Sequence, residues 1–567
     1  MLSRPSGDPH WKAHWHRDHD TRKPRVTQQA HRALFCYDVL IEVFAALNLN
    51  ERVDLKACAR SAQVCLAWTG PASEVLWTSS SGRALKDLDQ LLRAVDVEIA
   101  SKRFVPEVLR CNKVKIRRRQ DAWDLFLHYG SQVRALRNTR YTGRYDNPVT
   151  VKGQEADLIH YLIRRNEGRT FLPSLRSAVW EEYPESRGAV FALLPFSLGS
   201  LDLTFYWTMT KHDIEGFMDR LSALVPGLLW LRITTAPEDV LIERLSFPPN
   251  LRHLFLEASY GSTLSLTQLQ ALLSRLQRVE TLSVHIQVGS HAEHWQGDLR
   301  AGKALQKLHV EGGCRDLAAL MAHLHAPSLR ELDVRVEGPS YDPAAHHELS
   351  LAIGQNARLA RTLRSLRLVY RPPDSGESES AVAAAAKEAG PGGAPVALFS
   401  DVLAPLVQGL GLTAGLETLV VEHWHHAVSF MDDEVAQIAH AFPLLKSLTL
   451  SVGVRTMGLR PPSRLPSVAV LYHVAQYCQQ LEHLEIELAD DFLLASQLNW
   501  LREPSSIADG SPGHPLQTLE LTVWMPVGWR GGGARDEFQS YANKIFPNRY
   551  RDKEIFFERY PAHWLTS

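Results

Sequence analysis

One six-residue frame constrains this chain more than any other feature: an apolar residue, two variable ones, an apolar, one variable, an apolar. It recurs as Leu198-Leu201-Leu203, Leu228-Leu231-Ile233, Leu251-Leu254-Leu256, Val279-Leu282-Val284, Leu305-Leu308-Val310 and Leu329-Leu332-Val334. It continues as Leu363-Leu366-Leu368, Leu416-Leu419-Val421, Leu445-Leu448-Leu450, Leu481-Leu484-Ile486 and Leu516-Leu519-Leu521. Leu175-Ala178-Trp180 is a degenerate copy, and Val133-Leu136 reads as an earlier one still. The usual step runs from 23 residues (Leu228 to Leu251) to 36 (Leu445 to Leu481). Such a frame is a short strand whose alternate side chains enter a shared core, with a turn leucine packed beneath it. Between copies lie stretches with helical spacing, among them Leu266 to Leu276, Leu317 to Leu324 and Val435 to Phe442. Each unit buries one face only against its neighbours. The expected fold is therefore α/β, a curved solenoid stacked in chain order with a parallel sheet on its concave side.

Across residues 131–525 this pattern resembles the leucine-rich repeat family. That family carries Asn or Cys after the frame, separated from it by two residues; here the position holds Tyr206, Ser259, Gln287, Glu337 or Gly453, and neither residue type occurs there in any copy. The turns must then satisfy their backbone groups by other means.

The step from Leu363 to Leu416 contains the Pro-, Gly-, Ser- and Ala-rich stretch 371–396, expected to be a flexible insertion; Arg502 to Pro515 reads similarly. Residues 526–567, with Gly531 to Gly533 and the aromatics Phe546, Phe556, Phe557, Tyr560 and Trp564, read as a C-terminal cap. Residues 1–30 have almost no aliphatic side chains and read as a disordered tail. Its His10, His14, His16 and His19 lack the supporting shell that metal binding requires, so no metal is expected there.

Ahead of the repeats, residues 31–80 read as three short helices. Val39, Leu40, Val43, Phe44 and Leu47 form an apolar stripe. A second helix is expected from about Asp54 to Trp68, with Gly70-Pro71 breaking it before Ala72 to Trp77. Residues 81–130 read as a helical connector. The stretch Phe35-Cys36-x-Asp38-Val39-Leu40-x-Glu42-Val43-Phe44-x-x-Leu47, followed by Val64-Cys65-x-x-Trp68 and Leu76-Trp77, resembles the F-box. Cys36 stands where that family has a proline pre-set for the first helical turn. The whole arrangement is similar to fungal proteins that join an F-box to irregular leucine-rich repeats.

The resemblance implies a substrate-recognition subunit of an SCF-type cullin-RING ubiquitin ligase. Val39, Leu40, Val43, Phe44, Leu47, Val64, Cys65, Trp68, Leu76 and Trp77 would bind a Skp-type adaptor, and through it a cullin scaffold. The repeats would bind the target protein. The alternative is a leucine-rich-repeat interaction scaffold with no ubiquitin-ligase role, its helices serving only as a cap. By position, the strand residues that do not enter the core line the concave wall. They include Trp230, Arg232, Glu331, Asp333, Glu422, His483, Glu485, Glu487 and Glu520. The acidic C-terminal third suits a target with a basic segment.

Composition and missing motifs narrow the rest. With 62 Lys+Arg against 63 Asp+Glu the net charge is -1, so no overall field favours nucleic acid or an anionic membrane. No apolar run reaches the roughly 20 residues of a membrane span, and the first residues lack a secretory signal; a cytoplasmic or nuclear location is expected. The six cysteines are scattered and read as reduced. GxxxxGK[ST], HExxH and GxSxG are absent, so the expectation is no enzyme and no cofactor. His423, His425 and His426 around Trp424 read as surface residues at a strand edge, and Lys113 to Arg119 as a half-buried strand with a charged outer face.

Overall fold

The computed structural model describes residues 36–47, 52–78, 83–84, 119–138, 165–167, 169–182, 188–205, 211–235, 245–258, 264–286, 297–337, 342–371, 397–398, 403–411, 415–423, 428–451, 465–489, 515–525, 545–546 and 552–559. The expectations for the first thirty residues, for 372–396, for Lys113 to Arg118 and for the 424–426 cluster lie outside them. The chain divides into two compact units, Met1–Ser81 and Gly82–Ser567.

In the smaller unit, α1 (Tyr37–Ala45), α2 (Arg52–Ser61) and α3 (Leu66–Thr78) enclose Leu40, Phe44, Cys58, Ala72 and Val75, with Ile41, Leu47, Ala62, Trp68 and Leu76 packed around them. Phe44 meets Trp68 edge to face, ring centres 5.8 Å apart, the arrangement aromatic quadrupoles favour. Cys36 is the N-cap of α1, its extended backbone carbonyl accepting from Leu40 N–H at 3.0 Å. The second helix breaks earlier than the sequence indicates. It stops at Ser61, where Gln63 and Val64 N–H turn back to the carbonyls of Arg60 and Ser61, and Gly70-Pro71 lies inside α3. Pro71 lies past the first turn of α3, so the helix continues without the bond that an N–H there would make to the carbonyl of Ala67.

The larger unit runs β1 (Arg83–Ala84), α4 (Arg119–Gln132), β2 (Ala135–Asn138), β3 (Ser177–Glu182), β4 (Ser200–Phe205), α5 (Lys211–Leu224), β5 (Trp230–Thr235), β6 (His253–Ala258), α6 (Leu266–Arg275) and β7 (Thr281–Ile286). It continues with β8 (Leu299–Arg300), β9 (Lys307–Gly312), α7 (Cys314–His323), β10 (Leu324–His325), β11 (Glu331–Glu337), α8 (Pro343–Gln355), α9 (Ala357–Thr362), β12 (Ser365–Arg371), β13 (Ala397–Leu398) and α10 (Ala404–Leu410). The last elements are β14 (Thr418–His423), β15 (Val428–Ser429), α11 (Asp432–Ala441), β16 (Ser447–Ser451), α12 (Val470–Tyr477), β17 (His483–Ala489), β18 (Thr518–Met525) and β19 (Asp552–Arg559). Fifteen of the strands form one sheet in strict chain order; β8 with β10 and β13 with β15 make two short pairs apart from it. Every pairing is parallel.

Every position of the recurring frame is buried except Leu256, which is partly exposed. Val133 and Leu136 belong to the series too: Leu136 lies in β2 and Val133 is buried just ahead of it. Two strands extend the sheet past the limits the frame marks. β1 pairs with β2 from within the expected connector, and β19 pairs along β18 from within the expected cap. Neither carries the full leucine spacing, so neither announces itself in sequence.

Main-chain bonds join each repeat to the next just ahead of its strand. The residue after each turn leucine offers one carbonyl to two successive N–H groups of the next repeat: Arg134 to Arg176 and Ser177, Arg176 to Gly199 and Ser200, and onward through Gly199, Leu229, Arg252, Glu280, Gln306, Arg330, Arg364, Glu417, Lys446 and Glu482 to Gln517 and Thr518. The bonds measure 2.7 to 3.1 Å. Because only main-chain atoms take part, the side chains along this column are free to vary.

On the helix side of the sheet, α8 and α10 approach so closely at Gly354 and Gly409 that a Cβ at 409 would collide with the backbone of Gly354. Among the described residues no helix is long and apolar enough to cross a membrane.

Candidate functional site

Two surfaces carry the residues that the sequence singles out, one on each unit. On the helical unit, the apolar stripe of α1 is wider than the part its own core covers. Leu40 and Phe44 are buried inside the unit, whereas Val39 and Val43, four residues apart on the adjoining flank of the helix, are 43% and 54% exposed. Val64 between α2 and α3 is 64% exposed, and Val53 more so. Tyr37 is anchored at the end of α1 by a 2.5 Å hydrogen bond from its hydroxyl to Glu74 of α3. That bond, with burial and the charges of Glu74 and Asp38, pushes the phenol up to about 12. Of the residues expected to face an adaptor, Leu40 and Phe44 are thus corrected to core residues: the helix can turn only one stripe toward its own bundle, and theirs is that stripe. Leu47, Trp68 and Leu76 pack around this core while remaining partly exposed, as are Cys65 and Trp77. Val39, Val43 and Val64 are the ones left outward.

On the larger unit, strand alternation sends the frame residues into the core and the intervening residues to the open face of the sheet. In-register pairing turns these into rows that cross the strands. One row runs Trp230, His253, Thr281, Lys307, Glu331, Ser365, Thr418, Ser447, His483 and Thr518. The next runs Asp202, Arg232, Phe255, Ser283, His309, Asp333, Arg367, Val420, Thr449, Glu485 and Glu520.

The rows are laced by ion pairs. Arg232 lies 2.5 Å from Glu257 and 3.8 Å from Asp202, with Trp230 and Phe255 rings 5.3 Å apart beside it. Burial raises the Asp202 carboxyl above its ordinary range, against the pull of Arg232. Lys307 pairs with Glu331 at 2.7 Å. Asp333 takes His309 at 2.8 Å, with Arg335 at 3.8 Å and Arg367 at 4.0 Å; Arg367 reaches on to Glu422 at 2.8 Å. Burial alone would raise Asp333, but His309 and the two guanidiniums hold it below the usual carboxylate value.

Toward the C-terminus, Glu485, Glu520 and Glu554 occupy consecutive register positions on β17, β18 and β19. His483 sits beside them, half-buried. Glu487 departs from its expected place on the accessible wall: it is only 4% exposed and accepts from the Ser451 hydroxyl at 3.3 Å. Glu422 and Glu331 have cationic partners within the wall, and Glu485 and Glu520 stand opposite each other in register at its C-terminal end.

One group was not visible in sequence. His285 on β7, Glu311 on β9 and Glu337 on β11 bring a ring nitrogen and two carboxylate oxygens within 4.8 Å of one another. Their separation in the chain hides them; only the register of three adjacent strands brings them together.

These features define an α/β repeat protein with a sequentially ordered parallel sheet and a separate three-helix unit. No protein-family model matches the chain, nor does any curated protein. A solved structure described as the crystal structure of the Rad7 and Elc1 complex in yeast is similar at 13% identity, covering 78% of this chain and 89% of that one, with a TM-score of 0.28. At that level of similarity the architecture rests on the strand order and register themselves.

Proposed function

We propose that this chain is the target-recognition subunit of an SCF-type ubiquitin ligase, located in the cytoplasm or nucleus and itself without catalytic chemistry. The observation that carries the reading is the exposed apolar flank of α1. A helix that has already filled its own core with Leu40 and Phe44 still exposes Val39 and Val43, and an exposed apolar helix face suits a helix-in-groove partner. The F-box pattern in Val39 to Leu47, Val64-Cys65-x-x-Trp68 and Leu76-Trp77 names that partner as a Skp-type adaptor, with a cullin behind it. The open sheet face then selects the target, and the carboxylates of Glu485 and Glu520 favour a basic segment on it.

The test is co-purification of the full chain with a Skp-type adaptor, compared with V39D/V43D. Both substitutions lie on the exposed side, so the variant should keep its circular dichroism and lose the adaptor. Phe44→Ala is unsuitable as a binding probe, since emptying that core site costs about 3–5 kcal/mol and threatens the bundle itself. Adaptor binding by neither protein would leave the helices as the cap of a repeat scaffold with no ubiquitin link.

A further inference from the structure

We propose that His285, Glu311 and Glu337 form a binding site for one Zn²⁺ ion on the open face of the sheet. His285 Nε2 and Glu337 Oε2 stand 3.3 Å apart. Two ligands held at about 2.1 Å from a tetrahedral zinc are about 3.4 Å from each other, so one edge of the coordination polyhedron is already set. Glu311 is the in-register neighbour of His285 on the next strand, and its carboxylate lies in the same group within 4.8 Å.

The surrounding charges leave room for a cation. Arg335, the register neighbour of Glu311, is turned to Asp333, and Arg367 is shared between Asp333 and Glu422. Among the described residues Glu311 has no ion pair with Lys or Arg. Two carboxylates and one imidazole converge on one another here.

The donor set selects the metal. A ring nitrogen with two carboxylate oxygens suits zinc and its transition-metal neighbours, whereas magnesium and calcium prefer oxygen donors throughout. Three protein ligands leave a fourth position facing outward, for water or for a group on a bound partner. An ion there would tie β7, β9 and β11 together and neutralise the two carboxylates that meet on them. The site stands independently of any adaptor on the helical unit.

The experiment is calorimetric titration of the full, chelator-treated chain with Zn²⁺ and separately with Mg²⁺. It is carried out in the H10A/H14A/H16A/H19A background so that the N-terminal histidines do not compete. One equivalent of Zn²⁺ should bind and Mg²⁺ should not. E311Q/E337Q and, separately, H285Q should each weaken Zn²⁺ at least about tenfold, the low end of what even a lost outer partner costs a metal site. Co²⁺ gives a second reading: its intense four-coordinate visible band should appear with the background protein and vanish in E311Q/E337Q. Failure to take up one equivalent, or uptake and a cobalt band unchanged in E311Q/E337Q, would overturn the site. Circular dichroism of the variants separates loss of ligands from loss of fold.

Discussion

Arg367 Nη2 donates to Glu422 Oε1 at 2.8 Å although the two residues stand 55 positions apart. Their strands, β12 and β14, are immediate neighbours paired from Ser365↔Thr418 to Tyr370↔His423 with no slip. The longest step between frames therefore leaves the two strands that flank it paired side by side in register.

Replacing residues 373–395 with a short Gly-Ser linker should consequently change stability by less than about 1 kcal/mol, since loop length enters closure entropy only logarithmically. Thermal unfolding followed by far-UV circular dichroism checks this. A large loss of cooperativity would mean that the segment supplies packing.

The contact of Gly354 with Gly409 predicts opposite outcomes for two superficially alike substitutions. Gly409→Ala drives a methyl group into the Gly354 backbone and should destabilise by about 1–3 kcal/mol, the usual cost of overpacking. Gly216→Ala in α5 meets nothing within 4 Å and should stabilise by about 0.5–1 kcal/mol through helix propensity. Urea denaturation of the two variants compares them directly.

Tyr37 should make the helical unit sensitive to alkali. Its phenol, held by Glu74, titrates at about 12 instead of 10.0. The folded state keeps the proton longer than the unfolded chain does, so this stabilisation is fully present below about pH 10 and is lost as the pH climbs toward 12. Tyr37→Phe should flatten the decline of stability over that interval, measured by denaturant melts at stepped pH.

Asp333 predicts an acid-side dependence of the opposite sense. Its folded carboxyl titrates below the ordinary 3.8, so its contribution is present above about pH 4 and disappears as the pH falls through that lower value. Asp333→Asn removes the ionised acceptor from His309, Arg335 and Arg367 and should cost about 1–3 kcal/mol at pH 7. The difference from the unsubstituted chain should close once the pH has fallen below the lowered folded value.

The repeat frame was legible in sequence because its leucines answer to one local rule: alternate positions on a strand face opposite ways, and one side of each strand must be apolar. That rule located the strand at each frame from Val133 to Leu521 and, by elimination, the open-face positions; helical spacing marked the helices at Leu266–Arg275, Cys314–His323 and Asp432–Ala441 but not the others between the frames. The three-helix unit was legible from its apolar stripe, though not the place where α2 ends, which depends on the Gln63 and Val64 turn bonds. The strands at Arg83 and Asp552 were hidden because an edge strand can be recruited by pairing with its neighbour's backbone without a full apolar spacing of its own.

What only the tertiary structure decided was everything that depends on neighbouring strands. Register gathers His285, Glu311 and Glu337, places Glu485 opposite Glu520, and gives Glu422 its partner. Bundle packing separates Leu40 and Phe44 from Val39 and Val43. The amino-acid order by itself determined that a strand would form at each frame and which side of it would be apolar, because both follow from residues close in the chain. Which charges meet, and which apolar groups remain uncovered, follows from distances between residues that are remote in the chain, and those distances exist only once the repeats have stacked.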